Sequence, residues 1–427
     1  MSSPYQKFAY HTFGCKVNFA DSCMIARELV NKGLTEVSIN QNAEIYIINT
    51  CSVTNKADKK AERFIRKIYK RSPKSKIIVT GCYAQLNPNK ISEIPGVFQV
   101  ISAKNKFNIN NYIDDENIDM SKHDINNVND FNISYSVNER TRAFIKIQDG
   151  CDYICSYCTI PKARGKSRSS SIPSTIYNIN KIIDSGVKEI ILSGINVGDF
   201  GKDNNENLLQ LLSEIEKIDK LKRYRISSIE PNLLNEQIIQ LIAKSNKALP
   251  HLHIPLQSGS DKVLKSMKRR YTAKDYWKLI NRIHRDIPGI CIGVDVIVGY
   301  PNETDKDFIE TYNFLDQLNI SYLHVFSYSE RKYTKSSLMK SQVTMEQKLY
   351  RRTLLKQLSD KKYKIYINNN LNQVREVLFE NYNKGIVDGL TENYIRVYAN
   401  GNNNLLNQVK KVKLLRNNLD VIGELID

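Results

Sequence analysis

Strand-like and helix-like patterns alternate through the middle of this chain of 427 residues, and this alternation limits the fold more than any other feature. The patterns predict six strands: Ala143–Gln148, Glu189–Ser193, Arg223–Ile229, His251–Pro255, Gly293–Val298 and Tyr322–Phe326. Helical patterns lie between them. Strands that alternate with helices form parallel βαβ units, so six repeats predict a partial or full barrel of parallel strands. Such a barrel has its functional site at the carboxyl ends of its strands.

The first hundred residues follow the same α/β plan on a smaller scale. Lys7–Thr12, Glu44–Asn49 and Lys76–Thr80 are predicted strands. A cysteine lies shortly after each strand: Cys15, Cys51 and Cys82. Because the carboxyl ends of parallel strands meet at one edge of a sheet, we expect these three thiols on one rim. From the residues alone, three unrelated core cysteines are the alternative.

Two stretches depart from this alternation. Residues from about 105 to 139 are rich in Asn and Asp and poor in large apolar side chains, which predicts a long connection with at most local structure. After a basic helical pattern, short strand-like runs separated by Asn/Gly turns predict a small all-β module. We therefore expect three domains: residues 1–139 with this connection at their end, residues 140–362, and residues 363–427.

The charge balance and the cysteines restrict the partners and the compartment. Lys and Arg number 63 against 45 Asp and Glu, so the formal net charge is +18, and the surplus is spread over all three parts. Such a surplus favours a nucleic acid lying across the domains over an anionic membrane. We expect no membrane span and no secretory signal, because no apolar stretch has the length of either. These features predict a cytoplasmic protein, in which thiols more often bind metals or react than form disulfides.

The sharpest motif is Cys151-Asp-Tyr-Ile-Cys155-Ser-Tyr-Cys158. A [4Fe-4S] cluster usually takes four cysteines, so three leave one iron open for another ligand. S-adenosylmethionine suits that position, since its amino and carboxylate groups can chelate iron. An electron from the cluster would then cleave its sulfonium to a 5′-deoxyadenosyl radical. Tyr157 is placed to flank the adenine. A zinc loop or a packed turn is the alternative interpretation.

Several strings resemble one family over nearly the whole chain. Cys-x3-Cys-x-aromatic-Cys resembles the radical S-adenosylmethionine superfamily signature, and the three upstream cysteines resemble those of its methylthiotransferase branch. The strings are Thr12-Phe-Gly-Cys-Lys-Val-Asn18, Asn49-Thr-Cys-Ser-Val-Thr54, Gly81-Cys-Tyr-Ala-Gln85, Lys146-Ile-Gln-Asp-Gly-Cys151, Ile160-Pro-Lys-Ala-Arg-Gly165 and Ser227-Ser-Ile-Glu-Pro231. The resemblance implies an N-terminal methylthiotransferase domain, a central radical barrel and a C-terminal TRAM domain that binds RNA.

The resemblance also implies the cofactors and their ligands. Two [4Fe-4S] clusters are expected, one held by Cys15, Cys51 and Cys82 and the other by Cys151, Cys155 and Cys158. The first would hold the sulfur that becomes the methylthio group. Barrel strand ends would contact S-adenosylmethionine, and the candidates besides Tyr157 are Ser193, Gly194, Glu230, Gln257, Ser258, Gly259 and Asp295. No catalytic side chain is singled out.

Gly14-Cys15-Lys16-Val17-Asn18 resembles the branch that acts on N6-threonylcarbamoyladenosine at position 37, in the tRNA anticodon loop. This branch implies insertion of sulfur and a methyl group at C2 of the adenine, with a reducing electron donor as a further partner. The sulfur source is not indicated. The alternatives are methylthiolation of isopentenyladenosine tRNA or of a ribosomal-protein aspartate, and a non-enzymatic RNA-binding protein with structural zinc.

Overall fold

The N-terminal part of the protein is a parallel five-stranded sheet covered by helices. The computed structural model describes residues 7–113, 124–125, 128–137, 140–332, 334–417 and 420–426. The strand order is β2-β1-β3-β4-β5, and the strands are β1 Lys7–Thr12, β2 Thr35–Glu36, β3 Ile45–Thr50, β4 Lys76–Gly81 and β5 Val97–Val100. The helices are α1 Lys16–Asn31, α2 Asn55–Arg71, α3 Cys82–Leu86 and α4 Pro88–Ser92. Every residue of β3 is buried, as expected for a parallel strand covered on both faces.

The central part contains the six predicted parallel strands. The sheet β11-β10-β7 continues into β12-β13-β14 through the bridges Tyr224–Ala248 and Ser228–His253. The strands are β7 Arg142–Lys146, β10 Glu189–Ser193, β11 Arg223–Ile226, β12 His251–His253, β13 Cys291–Val298 and β14 Tyr322–Ser327. The helices are α5 Ile160–Arg164, α6 Ile172–Asp184, α7 Leu208–Glu216, α8 Glu236–Lys244, α9 Asp261–Ser266, α10 Ala273–Asp286, α11 Asp305–Gln317 and α12 Met345–Asn368. The prediction of a barrel is confirmed in its partial form, since no pairing joins β14 to β7 within the described ranges.

Two short pairings complete this part. β6, Ser134–Tyr135, runs antiparallel to β7, and β8, Gln148–Asp149, pairs with β9, Arg168–Ser169. β6 lies inside the predicted connection, which also contains a 3-10 turn at Ile109–Tyr112. Residues 114–123, 126–127 and 138–139 of that connection lie outside the described residues. Helix α1 packs against β6 and β7 and so covers the open side of the barrel.

The C-terminal part is a closed five-stranded β-barrel, in agreement with the predicted all-β module. Its order is β15-β16-β17-β19-β18, and the strands are β15 Val374–Asn383, β16 Ile386–Thr391, β17 Arg396–Asn400, β18 Val409–Asn417 and β19 Asp420–Leu425. The sequence patterns did not indicate β19, which closes the barrel between β17 and β18. The expected boundary at residue 362 lies within α12, which continues to Asn368. No helix in the described parts of the chain has both the length and the apolar character needed to cross a membrane.

The C-terminal barrel docks on the strand starts of the central barrel. Arg225 donates two hydrogen bonds of 2.8 Å, to the backbone oxygens of Thr391 and Glu392. The ring of Tyr394 stacks on His251 with 3.9 Å between centroids. The barrel therefore covers the end of the central domain opposite the strand carboxyl ends.

A buried network of charges joins the N-terminal sheet to the central barrel. Asp21 of α1 accepts hydrogen bonds from Lys146 at 2.7 Å and from Lys106 at 2.5 Å. Asp149 accepts one from Arg164 at 2.7 Å. Burial works to raise the pKa of Asp21, but the neighbouring charges of Lys106, Lys146 and Arg164 lower it to about 2. Neighbouring cations also hold the pKa of Asp149 well below its ordinary value despite its burial. Both carboxylates are therefore ionised at neutral pH.

We predict that Lys146→Met destabilises the fold by about 3–5 kcal/mol, because it leaves the carboxylate of Asp21 buried with fewer partners. The measurement is the free energy of unfolding from urea titration followed by circular dichroism. Lys220→Met is the matched control, since Lys220 forms an exposed ion pair with Asp184 that contributes less than about 1 kcal/mol. Equal losses for the two variants would contradict the role of the network.

Candidate iron–sulfur and cofactor site

The loop that follows β8 brings Cys151, Cys155 and Cys158, here called the loop triad, around one space. Backbone N–H groups point at two of the sulfurs, from Tyr153 to Cys151 at 3.4 Å and from Ile160 to Cys158 at 3.5 Å. Burial, with a smaller contribution from the neighbouring thiols of the triad, raises the pKa of Cys151 and of Cys158 to about 12. Three half-buried thiols with raised pKa values ionise together only beside a strong positive charge. A metal centre supplies that charge, so the donor set fits one.

Arg269 organises the polar groups beside the loop triad, and the sequence patterns did not indicate it. Its guanidinium donates to the sulfur of Cys155 at 3.3 Å and to the hydroxyl of Tyr157 at 3.4 Å. It also forms a short ion pair with Glu230. Arg269 lies in the basic run Lys268–Arg270 after α9. The sequence of such a run does not distinguish an arginine that is paired inside the protein from one that is solvated.

A cavity of about 180 Å³ adjoins the loop triad. Three of the predicted cofactor contacts, Tyr157, Gln257 and Asp295, line it together with Ile297 and Phe326. Gln257 has a φ of 74°, a left-handed conformation that costs a non-glycine residue about 1 kcal/mol or more. Its backbone is held there by hydrogen bonds to the Asp295 oxygen and from the Ile297 N–H, of 2.8 and 2.9 Å. The surrounding strands thus impose the conformation of Gln257 at the cavity wall.

The structure places the other predicted contacts against protein groups. Glu230 is paired with Arg269, and the hydroxyl of Ser193 donates to its own strand at the Ile191 oxygen. Gly194 approaches the side chain of Gln148 closely. The side chain of Ser258 contacts Thr311 of α11, and Gly259 packs on the same helix. Contacts between these five strand-end residues and a cofactor stay a prediction.

The N-terminal rim brings Cys15, Cys51 and Cys82, here called the upstream triad, together after β1, β3 and β4. Burial raises the pKa of Cys51 to about 12, and the adjacent thiols of Cys82 and Cys15 contribute to the rise. Cys15 is exposed, whereas Cys82 is buried. The grouping follows from the parallel sheet, whose strand ends carry residues far apart in sequence to one edge. The remaining two cysteines, Cys23 and Cys291, are fully buried.

Contacts across the domain interface link the surroundings of the two triads. Arg164, which follows the loop triad, donates to the sulfur of Cys82 at 3.3 Å and also pairs with Asn18. Val53 and Thr54, which follow Cys51, line the same cavity as Tyr157 and Asp295. Chain neighbours of a cysteine from each triad therefore line one chamber at the strand carboxyl ends.

Comparisons with known proteins agree with this arrangement. Residues 7–102 match the model of the uncharacterized protein family UPF0004, and residues 145–315 match the radical SAM superfamily. The threonylcarbamoyladenosine tRNA methylthiotransferase MtaB of Bacillus subtilis is 38% identical, over 96% of this chain and 93% of that protein. The chain belongs to the radical S-adenosylmethionine methylthiotransferase family. The Aquifex aeolicus protein of the same name is 34% identical to this methylthiotransferase over 92% of its chain and 97% of the relative.

A solved structure supports the fold of this methylthiotransferase. The radical S-adenosylmethionine methyltransferase TsrM of Kitasatospora setae, solved with cobalamin and a [4Fe-4S] cluster bound, has a TM-score of 0.59. It covers 78% of this chain and 77% of its own at 13% identity. At this identity the likeness concerns the fold alone.

We predict that Gly14→Ala displaces Cys51 from the upstream triad. Gly14 has a φ of 105°, and an added Cβ would lie 2.7 Å from the Cβ of Cys51. Gly33→Ala is the matched control, because Gly33 has a φ of 90° with no atom within 4 Å of the added carbon. Both variants lose about 1 kcal/mol to backbone strain.

Only Gly14→Ala should speed maleimide modification of Cys51, measured by peptide mass spectrometry. If the labelling rate of Cys51 is unchanged in Gly14→Ala, the close approach of Gly14 to Cys51 does not determine the position of this thiol.

Proposed function

We propose that this protein inserts sulfur and a methyl group at C2 of N6-threonylcarbamoyladenosine at position 37 of tRNA, in the anticodon loop. The observation that supports the proposal is the cavity between two cysteine triads, which is lined by chain neighbours of Cys51 and Cys158. The C2–H bond of adenine is neither acidic nor activated, so acid–base catalysis alone does not break it. Two thiol sites with one open position each suit a reaction that needs both a radical initiator and a sulfur carrier.

The loop triad and the upstream triad would each hold a [4Fe-4S] cluster. When bound, the loop cluster together with S-adenosylmethionine supplies the one-electron chemistry that attacks an unactivated C–H bond, fed by a reducing electron donor. Tyr157, Gln257 and Asp295 would form the wall against S-adenosylmethionine. Arg269 positions Glu230 and Tyr157 there through its hydrogen bonds. Ser193, Gly194, Ser258 and Gly259 stay candidates for backbone contacts.

An exposed basic face favours RNA as the substrate. The charged positions of α2 that repeat at helical spacing are solvent-exposed: Lys56, Lys59, Lys60, Arg63, Arg66, Lys67, Lys70 and Arg71. Such a stripe follows a phosphate backbone. The proposal assigns residues 1–139 to sulfur delivery, residues 140–362 to radical generation and residues 363–427 to RNA binding. A base in an anticodon loop is less costly to unstack into a buried site than a base in a duplex.

We predict that cells lacking this protein lose the methylthiolated form of N6-threonylcarbamoyladenosine and accumulate the unmethylthiolated nucleoside. The measurement is mass spectrometry of nucleosides from digested total tRNA. Re-expression of the wild-type chain is the control and should restore the modified nucleoside. Persistence of that nucleoside, with loss of methylthiolated isopentenyladenosine or of a methylthiolated ribosomal-protein aspartate, would overturn the proposed substrate.

We predict different defects for the two triads because the proposal gives them different tasks. Replacing Cys151, Cys155 and Cys158 by Ala should abolish S-adenosylmethionine cleavage to 5′-deoxyadenosine. Replacing Cys15, Cys51 and Cys82 by Ala should leave cleavage but block methylthiolation. Both products are measured by chromatography after anaerobic reconstitution with iron and sulfide, and Cys291→Ala is the control.

Surviving cleavage in the loop-triad variant would refute the radical assignment. Zinc in place of iron and sulfide, without visible absorption, would instead favour an RNA-binding protein with structural zinc.

A further inference from the structure

Arg164 connects the two thiol triads, because its backbone belongs to the segment of the loop triad and its side chain reaches the upstream triad. The next residue, Gly165, accepts a hydrogen bond of 3.1 Å from the backbone N–H of Cys151, which returns the segment to the start of the loop triad. The Nε of Arg164 donates to the sulfur of Cys82 at 3.3 Å. One side chain of the central domain therefore completes the surroundings of a thiol in the N-terminal domain.

The orientation of the Arg164 guanidinium is fixed, since each of its nitrogens has a partner. Besides the bond to Cys82, Nη1 donates to Asp149 at 2.7 Å and Nη2 donates to the side-chain oxygen of Asn18. The whole group is buried. A guanidinium stays charged and offers its donors in a rigid planar fork. The two oxygen partners therefore hold the third donor at the sulfur.

Asn18 extends the influence of Arg164 to the other two cysteine loops of the upstream triad. Its side-chain amide donates to the backbone oxygen of Phe13 at 2.9 Å and to that of Thr50 at 3.0 Å. Phe13 lies two residues before the first cysteine of the triad, and Thr50 lies directly before the second. Arg164 thus contacts one cysteine directly and the loops of the other two through a single asparagine.

Four buried cations share two carboxylates beside Cys82. The cations are Lys106, Lys146, Arg164 and Arg168, and the carboxylates are Asp21 and Asp149. Among the residues that the structure describes, this network has an excess of two positive charges. Buried charge is costly unless a group of opposite sign compensates it. A [4Fe-4S] core bound by three thiolates has a net negative charge and so fits beside this excess.

A hydrogen bond to a ligand sulfur changes the redox behaviour of an iron–sulfur cluster. Reduction adds a negative charge, so a cationic donor at a sulfur stabilises the reduced form more than the oxidised form. Arg269 makes the corresponding bond in the loop triad, also of 3.3 Å, to Cys155. It belongs to the same domain as that triad, whereas Arg164 reaches its sulfur across the domain interface.

We infer that Arg164 is the positioning residue of the upstream cluster and raises the reduction potential of that cluster. The inference rests on the proposed function, which assigns a [4Fe-4S] cluster to the upstream triad, and adds a residue of the central domain that sets the properties of this cluster. The upstream site is then complete only when the two domains are docked.

The test uses the full-length chain with the loop triad replaced by Ala, so that the upstream triad holds the cluster under study. This parent is compared with Arg164→Gln and with Arg168→Gln after anaerobic reconstitution with iron and sulfide. Arg168 is the matched control, because it contacts the same Asp149 at 3.5 Å and the backbone oxygen of Arg164 at 2.6 Å. No hydrogen bond joins it to a thiol in the described part of the chain.

Two quantities are measured: the iron and sulfide content of each protein, and the midpoint potential of the cluster. The potential comes from stepwise reduction with titanium(III) citrate, followed by electron paramagnetic resonance of the reduced cluster. We expect Arg164→Gln to shift the reduction equilibrium at least about tenfold toward the oxidised form, which is about 59 mV for one electron. Arg168→Gln loses the same charge but no sulfur donor, and should shift it less than about threefold.

A midpoint that is unchanged in Arg164→Gln would overturn the inference. Equal shifts in the two arginine variants would also overturn it, since they would assign the effect to the charge of the network. If Arg164→Gln binds no iron, circular dichroism melting shows whether it is folded. A folded Arg164→Gln without iron, beside an iron-loaded Arg168→Gln, supports the positioning role, and loss of iron from both contradicts it.

Failure of the proposed function gives a different result. In that case the reconstituted wild type leaves N6-threonylcarbamoyladenosine in tRNA unchanged in a turnover assay with S-adenosylmethionine and a chemical reductant. That outcome does not alter the difference in midpoint potential between the two arginine variants, because no RNA takes part in the redox titration.

Discussion

The buried ion network at Asp21 is the contact on which the relative placement of the two thiol sites depends. Lys146 belongs to the central barrel and Asp21 to the N-terminal helix that covers the barrel's open side. Arg164 extends the network to the sulfur of Cys82. Removing charges from water is costly unless each has a partner of opposite sign in good geometry. Such a network tolerates little sliding between domains, so it fixes the distance between the triads more firmly than an apolar interface of equal area would.

The same interface is reinforced at the opposite side of the chamber. Arg331, in the loop after β14, is buried and donates to Asp58 at 2.7 Å and to Asn55 at 2.6 Å, both on α2. The upstream triad is therefore held between two sets of buried ionic contacts, one through α1 and the other through α2. Both helices start directly after, or a few residues after, a triad cysteine. The same short segments thus position the thiols and dock the N-terminal domain on the central barrel.

The sequence predicted those features that depend on local periodicity and on strand ends. The six central strands followed from the βαβ pattern, which also made a shared rim for Cys15, Cys51 and Cys82 an expectation beside the alternative of unrelated core cysteines. The start of α1 at Lys16 is difficult to predict, because Asn18, Asp21 and Ser22 are polar yet buried and hide the apolar face of the helix. β19 carries no clear alternation and is fixed by pairing with β17 and β18.

The polar interactions of the site were beyond sequence reasoning. By composition, Arg269 and Arg331 are ordinary basic residues. Their surroundings come from strands and helices hundreds of residues away or across a domain boundary. The partners that the fold brings near a basic side chain decide whether that side chain is solvated or bound in a network. No spacing rule in the sequence encodes those partners. The net charge of +18 therefore combines basic residues on an outer surface that suits RNA with buried basic residues that are paired inside the protein.

The docking of the C-terminal barrel has a consequence for access to the lumen of the central domain. Tyr394, stacked on His251 and flanked by Arg225, closes the lumen at the end remote from the thiol sites. Solvent therefore reaches the thiol sites from the strand carboxyl ends rather than through the strand starts. Loss of the C-terminal barrel would open a second entrance at the strand starts. A truncation made to test the proposed RNA-binding role of this barrel would therefore also admit solvent to the interior of the central domain.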